Sequence, residues 1–88
     1  MRIGAMAAVA GIGIAPHNPL GPIAGVAALH YDIAPPNFII QERMEATPWF
    51  YELVEGQPVP QNGYLPLPEK PGLGVEVNEA VAAKYPFK

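Results

Sequence analysis

The chain has 88 residues, no cysteine, and 5 basic against 8 acidic side chains, a formal charge of −3. That length allows one small domain or a piece of a larger one, and the missing cysteines exclude a disulfide framework and a thiolate metal site. Half of the residues are hydrophobic and only 15% are charged. This is too apolar for a disordered tail, too acidic to favour nucleic acid or an anionic membrane, and too poorly charged for a small domain that stands alone. In chain order, Ile3, Met6, Ala7 and Ala10 recur at helical spacing and Gly11 suits a helix C-terminus, so residues 1–10 read as the end of a helix. No capping residue precedes it, which implies a start upstream of Met1. Residues 12–15 read as a short, fully buried strand. Pro16-His17-Asn18-Pro19 must be a loop, because two prolines restrict the backbone on both sides. Residues 20–34 read as a helix with Ile23, Ala24, Ala27, Ala28 and Tyr31 on one stripe and Pro22 in its first turn. Pro35-Pro36 stops it, and residues 37–42 form an apolar, β-branched segment that ends in polar groups.

The second half changes character. Residues 49–54 allow one or two helical turns after Pro48. Pro58, Pro60, Pro66, Pro68 and Pro71 make residues 57–71 extended and irregular. Residues 72–77 read as a short strand, and Asn78 as the N-cap of a last helix over 79–84. The order is α/β, with too few strands to surround a buried one. A fragment is therefore expected, with last β/α units over 1–56 and a proline-rich closing segment over 57–88.

Met1-Arg2 and the uncharged run 3–15 resemble a signal peptide with Ala8-Val9-Ala10 as a cleavage point, but Gly4, Gly11 and Gly13 dilute the apolar character. The run is too short to span a bilayer. A cytoplasmic protein is the default expectation.

Two side chains are placed for chemistry. His17 follows an apolar strand and precedes a helix. In parallel α/β folds, side chains just beyond the carboxyl ends of strands line the active site, and an imidazole there can act as a general base or acid. The alternative is a loop histidine that caps a backbone group. Glu42 ends the next apolar run. It is either a solvated strand end or, if partly buried, a carboxyl group that can donate a hydrogen bond to a developing oxyanion. Glu45, Glu52 and Glu55 read as surface charges and His30 as structural. Gly11-Ile12-Gly13 has Pro16 where the dinucleotide fingerprint needs its third glycine, and neither a phosphate loop nor a His-Glu-x-x-His motif is present. Pro68-Glu69-Lys70-Pro71 fits the minimal pattern for proline-binding grooves, which is common by chance.

The segment Ala15-Pro16-His17-Asn18-Pro19-Leu20-Gly21-Pro22-Ile23 resembles the stretch after a late barrel strand in the mandelate racemase/muconate lactonizing group of the enolase superfamily, nearest to its galactonate dehydratase-type acid-sugar dehydratases. Pro36-Asn37-Phe38-Ile39-Ile40-Gln41-Glu42 resembles the next strand with its terminal glutamate. Gly63-Tyr64-Leu65-Pro66-Leu67-Pro68 and Pro71-Gly72-Leu73-Gly74-Val75-Glu76-Val77 resemble the segment that closes the barrel domain. The resemblance implies the C-terminal piece of a modified (β/α) barrel. It implies a parent enzyme that uses Mg²⁺, removes the proton α to a carboxylate and expels water from a sugar acid. By the same resemblance His17 is the base, Glu42 the carboxyl group that hydrogen-bonds the enediolate, and Asn18 a substrate-binding neighbour. No metal ligand falls in this chain; the family's three carboxylate ligands, the partner Asp of the histidine and the second acid/base group belong to earlier segments. The isolated chain is expected to be inactive, its parent homo-oligomeric, and neither nucleic acid nor membrane a partner. The alternatives are racemisation or cycloisomerisation in the same superfamily, a non-catalytic module presenting the proline-rich stretch, and a small secreted protein.

Overall fold

The structure, a computed structural model, describes every residue except Leu20, Ala46, Phe87 and Lys88. The elements run α1 (Arg2–Val9), α2 (Pro22–Asp32), β1 (Val54–Glu55), β2 (Glu76–Val77) and α3 (Glu79–Ala82). No side chain caps the start of α1, and the chain leaves its far end through Gly11 at φ +69°. Only glycine enters that left-handed region without cost, so the helix ends where the sequence places its end.

Two extended segments then lie side by side in parallel. The Ile14 N–H donates to the Asn37 carbonyl and the Ile39 N–H to the Ile14 carbonyl, both at 2.8 Å. The Asn37 side chain adds a bond to the Ile12 carbonyl at 2.6 Å. The fully buried strand expected over 12–15 is reduced to one parallel bridge, Ile14 with Phe38, and Ile12 is 59% exposed. Parallel strands are buried by neighbours on both edges and helices on both faces, and here each segment has one neighbour among the described residues.

Helix α2 crosses between these two segments. Gly21 is its N-cap and Pro22 stands in its first turn. Leu20, expected as the first residue of this helix, lies outside the described residues. The covered face carries Pro22, Gly25, Val26, Leu29 and Asp32. The stripe expected to face inward, with Ile23, Ala24, Ala27, Ala28 and Tyr31, does not form that face, and Ile23 is 45% exposed. Alanine and glycine occupy both stripes, so the period is visible but its phase is not.

The second half winds around a small core. One helical turn follows Pro48, with Phe50 N–H bonded to the Thr47 carbonyl and Leu53 N–H to that of Trp49. Strands β1 and β2 pair antiparallel, Val54 opposite Val77 and Glu55 opposite Glu76. The Asn78 side chain accepts from the Val81 N–H at 3.1 Å, the expected cap, and α3 ends two residues before Lys84. Asn62 and Gly63, at φ +51° and +82°, form a tight turn closed by reciprocal Gln61–Tyr64 bonds. An Asn-Gly pair is the usual sequence sign of such a turn, and the proline count around it hid it. Val26, Leu29, Phe50, Val54 and Val81 form the apolar core among the described residues. The Cα radius of gyration is 14.6 Å, against about 12 Å for a compact domain of this length. The accessible surface is 6389 Å², against roughly 5000 Å². This chain is spread out, not closed on itself.

Pro71-Gly72-Leu73-Gly74 uses its two glycines differently. Both lie at positive φ, but a Cβ on Gly72 would meet nothing within 4 Å, whereas one on Gly74 would stand 2.5 Å from the Pro68 Cβ. Gly72→Ala should cost about 1–2 kcal/mol from the backbone alone. Gly74→Ala should cost clearly more, as read from denaturant midpoints of the two variants.

Asp32 closes the last turn of α2 with both carboxylate oxygens buried and no hydrogen-bond partner among the described residues. Burial raises its pKa above the ordinary aspartate value. The folded chain therefore holds this proton more tightly than the unfolded chain. The stability this contributes is full below the ordinary value and is lost as pH rises through the raised one. Asp32→Asn should stabilise the chain near neutral pH, by roughly 1 kcal/mol, and lose that advantage at about pH 3. Thermal melts at the two pH values check this.

Candidate active site

The parallel bridge determines what meets. Parallel segments end on the same side, and from the Ile14–Phe38 pairing His17 lies three residues on and Glu42 four residues on. Their side chains touch, with His17 Nδ1 2.7 Å from Glu42 Oε2. The Asn18 backbone N–H donates to the same oxygen, also at 2.7 Å. Asn18 itself is only 5% exposed. Its amide nitrogen packs where a Cβ on Gly25 would come within 3.3 Å, so the small residue on α2 makes room for it. Gln41 ties the two strand ends together, donating to the Pro16 carbonyl at 3.4 Å and the Glu42 carbonyl at 2.5 Å.

All three residues singled out in the sequence, His17, Asn18 and Glu42, thus form one cluster. A carboxylate oxygen accepts, so a neutral His17 keeps its proton on Nδ1 and leaves Nε2 as the basic nitrogen. The His17 side chain is 80% exposed and that of Glu42 43%. A contact this open to water adds little to stability and serves to orient. An apolar cleft of about 300 Å³ lies between α2, the 38–41 segment and the 63–67 loop, and neither His17 nor Glu42 lines it. The His17–Glu42 cluster sits on an open surface beside it.

Other expectations divide. His30 is structural: its Nε2 lies 3.1 Å from the Leu73 carbonyl and fastens α2 to the Pro-Gly-Leu-Gly turn. Glu55 accepts from the Asn78 side chain at 2.8 Å. Glu45 is more than a surface charge, since it accepts from Arg43 Nε at 2.6 Å. The Tyr51 hydroxyl first, and then Arg43, hold its carboxyl below the usual range. Arg43 escaped the sequence reading altogether. Apart from Glu45, its partners Phe50, Tyr51 and Pro58 lie further along the chain, and no local pattern announces them. Among the described residues no three His, Asp or Glu side chains converge as a metal site, so these residues do not form a cation's donor set by themselves. No helix described is long and apolar enough to cross a membrane.

With this geometry in view, the likeness to known proteins is direct. Residues 1–81 match the family described as enolase C-terminal domain-like, and the chain belongs to it. A D-galactonate dehydratase family member from Streptomyces bingchenggensis is 42% identical over 99% of this chain and 22% of its own length. Mandelate racemase/muconate lactonizing enzyme from Jannaschia sp. CCS1 superposes with a TM-score of 0.91 at 36% identity, over 99% of this chain and 22% of that one. An enolase from Pantoea ananatis, solved with bound D-gluconate and Mg, superposes with a TM-score of 0.88 at 37% identity, over 99% of this chain and 21% of that one. The chain is thus a C-terminal piece of the enolase-superfamily (β/α) barrel and spans about a fifth of the length of the relatives it matches.

The His17 tautomer is open to direct measurement. Ring ¹⁵N shifts should report a proton on Nδ1 in the neutral form, and Glu42→Gln should weaken that preference.

Proposed function

We propose that this chain supplies one catalytic wall of a Mg²⁺-dependent acid-sugar dehydratase, a hydro-lyase acting on galactonate- or gluconate-like substrates. The observation that carries the reading is the His17–Glu42–Asn18 cluster at the carboxyl ends of two parallel segments. The gluconate and Mg bound to the Pantoea ananatis relative, and D-mannonate dehydratase from Caulobacter sp. strain K31, 42% identical over 78% of this chain, support the substrate class. In this reading the cation's ligands stand outside these residues, and the steps assigned here belong to the chain's own side chains.

His17 Nε2 takes the proton α to the substrate carboxylate. The electron pair of that C–H bond moves into the carboxylate and forms an enediolate. Glu42 acts here as a neutral carboxylic acid: the oxygen that His17 and Asn18 leave free carries the proton and donates a hydrogen bond to the enediolate oxygen. The electrons then return to expel the β-hydroxyl, which leaves as water with a proton from an acid outside this chain. Asn18 lines the same cup. Because its side chain is nearly covered, its part in substrate binding runs through the Glu42 carboxylate that its N–H orients. Residues 1–56 provide the last β/α units and 57–88 the closing segment. The chain by itself is inactive, its parent assembles from identical subunits in the cytoplasm, and neither nucleic acid nor membrane is a partner. Ile3, Met6 and Val9 on α1, 74–92% exposed, and Ile39 and Ile40 beside the site are the faces a complete barrel would cover.

A putative L-alanine-DL-glutamate epimerase from Burkholderia xenovorans also superposes, with a TM-score of 0.85 at 31% identity. It favours a second reading, in which the enediolate is reprotonated and no water leaves. Both are tested in a complete barrel made by joining this chain to the preceding four fifths of the Pantoea ananatis relative. Dehydration of D-gluconate or a related aldonic acid is expected, with His17→Asn lowering kcat by roughly 10²–10⁴. The 88-residue chain alone should show no turnover. Exchange of the α-proton for deuterium without dehydration would select the second reading. Full activity in His17→Asn would exclude both.

A further inference from the structure

Glu42 sits in a segment that its own backbone does not hold. Among the described residues, the hydrogen bonds between backbone groups stop at Ile39 and resume at the Thr47 carbonyl. Side chains must therefore fix the carboxylate. On one side Gln41 reaches the Pro16 carbonyl. On the other stands Arg43, whose side chain is only 12% exposed. Its Nη2 donates to the Pro58 carbonyl at 3.2 Å and to the Tyr51 hydroxyl at 3.4 Å, while Nε donates to Glu45. Its guanidinium carbon lies 5.2 Å from the centre of the Phe50 ring and 5.7 Å from that of Tyr51. Phe50 is part of the apolar core, 4% exposed. In an extended chain, neighbouring side chains point to opposite sides. Arg43 can thus be sunk in the second half of the chain while Glu42 faces His17.

We propose that Arg43 is a positioning residue, which anchors the segment after Phe38 to the Phe50–Tyr51–Pro58 block and so holds the Glu42 carboxylate on the His17 ring and the Asn18 N–H. The part of the proposal that concerns turnover rests on the dehydratase reading; the anchoring itself does not. A planar fork with three acceptors and two aromatic faces uses features that lysine lacks. Lysine at 43 should therefore keep the charge and lose most of the anchoring.

The test uses the joined barrel, with asparagine labelled by ¹⁵N. Arg43→Met should move the Asn18 amide resonance upfield, away from its carboxylate-bonded position. It should also speed exchange of that amide by about tenfold or more, with the core untouched. Arg43→Lys should give most of the same change, and it guards against a methionine variant that fails to fold. A misplacement of about 1 Å can cost on the order of 10² in rate, so kcat should fall by roughly 10- to 100-fold with KM within about twofold. An Asn18 amide unchanged in both variants would overturn the anchoring, and so would lysine acting as well as arginine. A displaced amide with unchanged kcat would leave Arg43 as the anchor and remove Glu42 from the chemistry. That outcome separates failure of the function reading from failure of this one.

Discussion

One parallel contact governs the geometry of this chain. Ile14 donates to Asn37 and accepts from Ile39, and these two backbone bonds align the ends of two segments that helix α2 would otherwise leave free. Parallel pairing sends both segments out on the same side. An antiparallel contact between the same residues would carry His17 and Glu42 to opposite edges. A link this small is adequate because the connection through α2 is short and proline-braced at both ends. Pro16 and Pro19 lie before it and Pro35 and Pro36 after it.

The site that results is built outward from backbone groups. Glu42 Oε2 lies against both the His17 ring nitrogen and the Asn18 main-chain N–H, so both contacts fall on one oxygen of the carboxyl group. Little of this adds stability, because the pair stands in water. Its value is orientation: a fixed imidazole tautomer and a fixed carboxylate direction. Orientation of this kind needs support from behind. Gly25 provides it by leaving space for Asn18, Gln41 by bridging the two ends, and Arg43 by its fork into the second half of the chain.

Membership of the enolase C-terminal domain-like family accounts for the mixture of order and exposure. Among the described residues few large apolar side chains are buried and far more face outward. An α/β strand pair with one neighbour each cannot cover its own faces. The spread shape and the exposed Ile39 and Ile40 describe a surface whose complement is other protein of the same barrel.

Much of this was legible in the sequence because the signals are local. Gly11 after an apolar helical run, Pro22 in a first turn and Asn78 before Glu79 specify helix ends through the conformations those residues permit. The Pro16–Pro19 loop and the run from Phe38 to Glu42 carried the resemblance that singled out His17 and Glu42. The face of α2 that packs inward was not legible, because alanines and glycines leave both of its stripes nearly equal in hydrophobicity. Nor was the depth of burial of residues 12–15, which depends on how many neighbours a strand has. The Arg43 anchor and the Asn18 N–H bond were invisible for a further reason: they join residues 8 to 24 positions apart through contacts that no periodicity encodes. Residue type and spacing determine where the backbone turns and which groups can react. Only the packed arrangement decides which of those groups meet, because that depends on how distant segments share space.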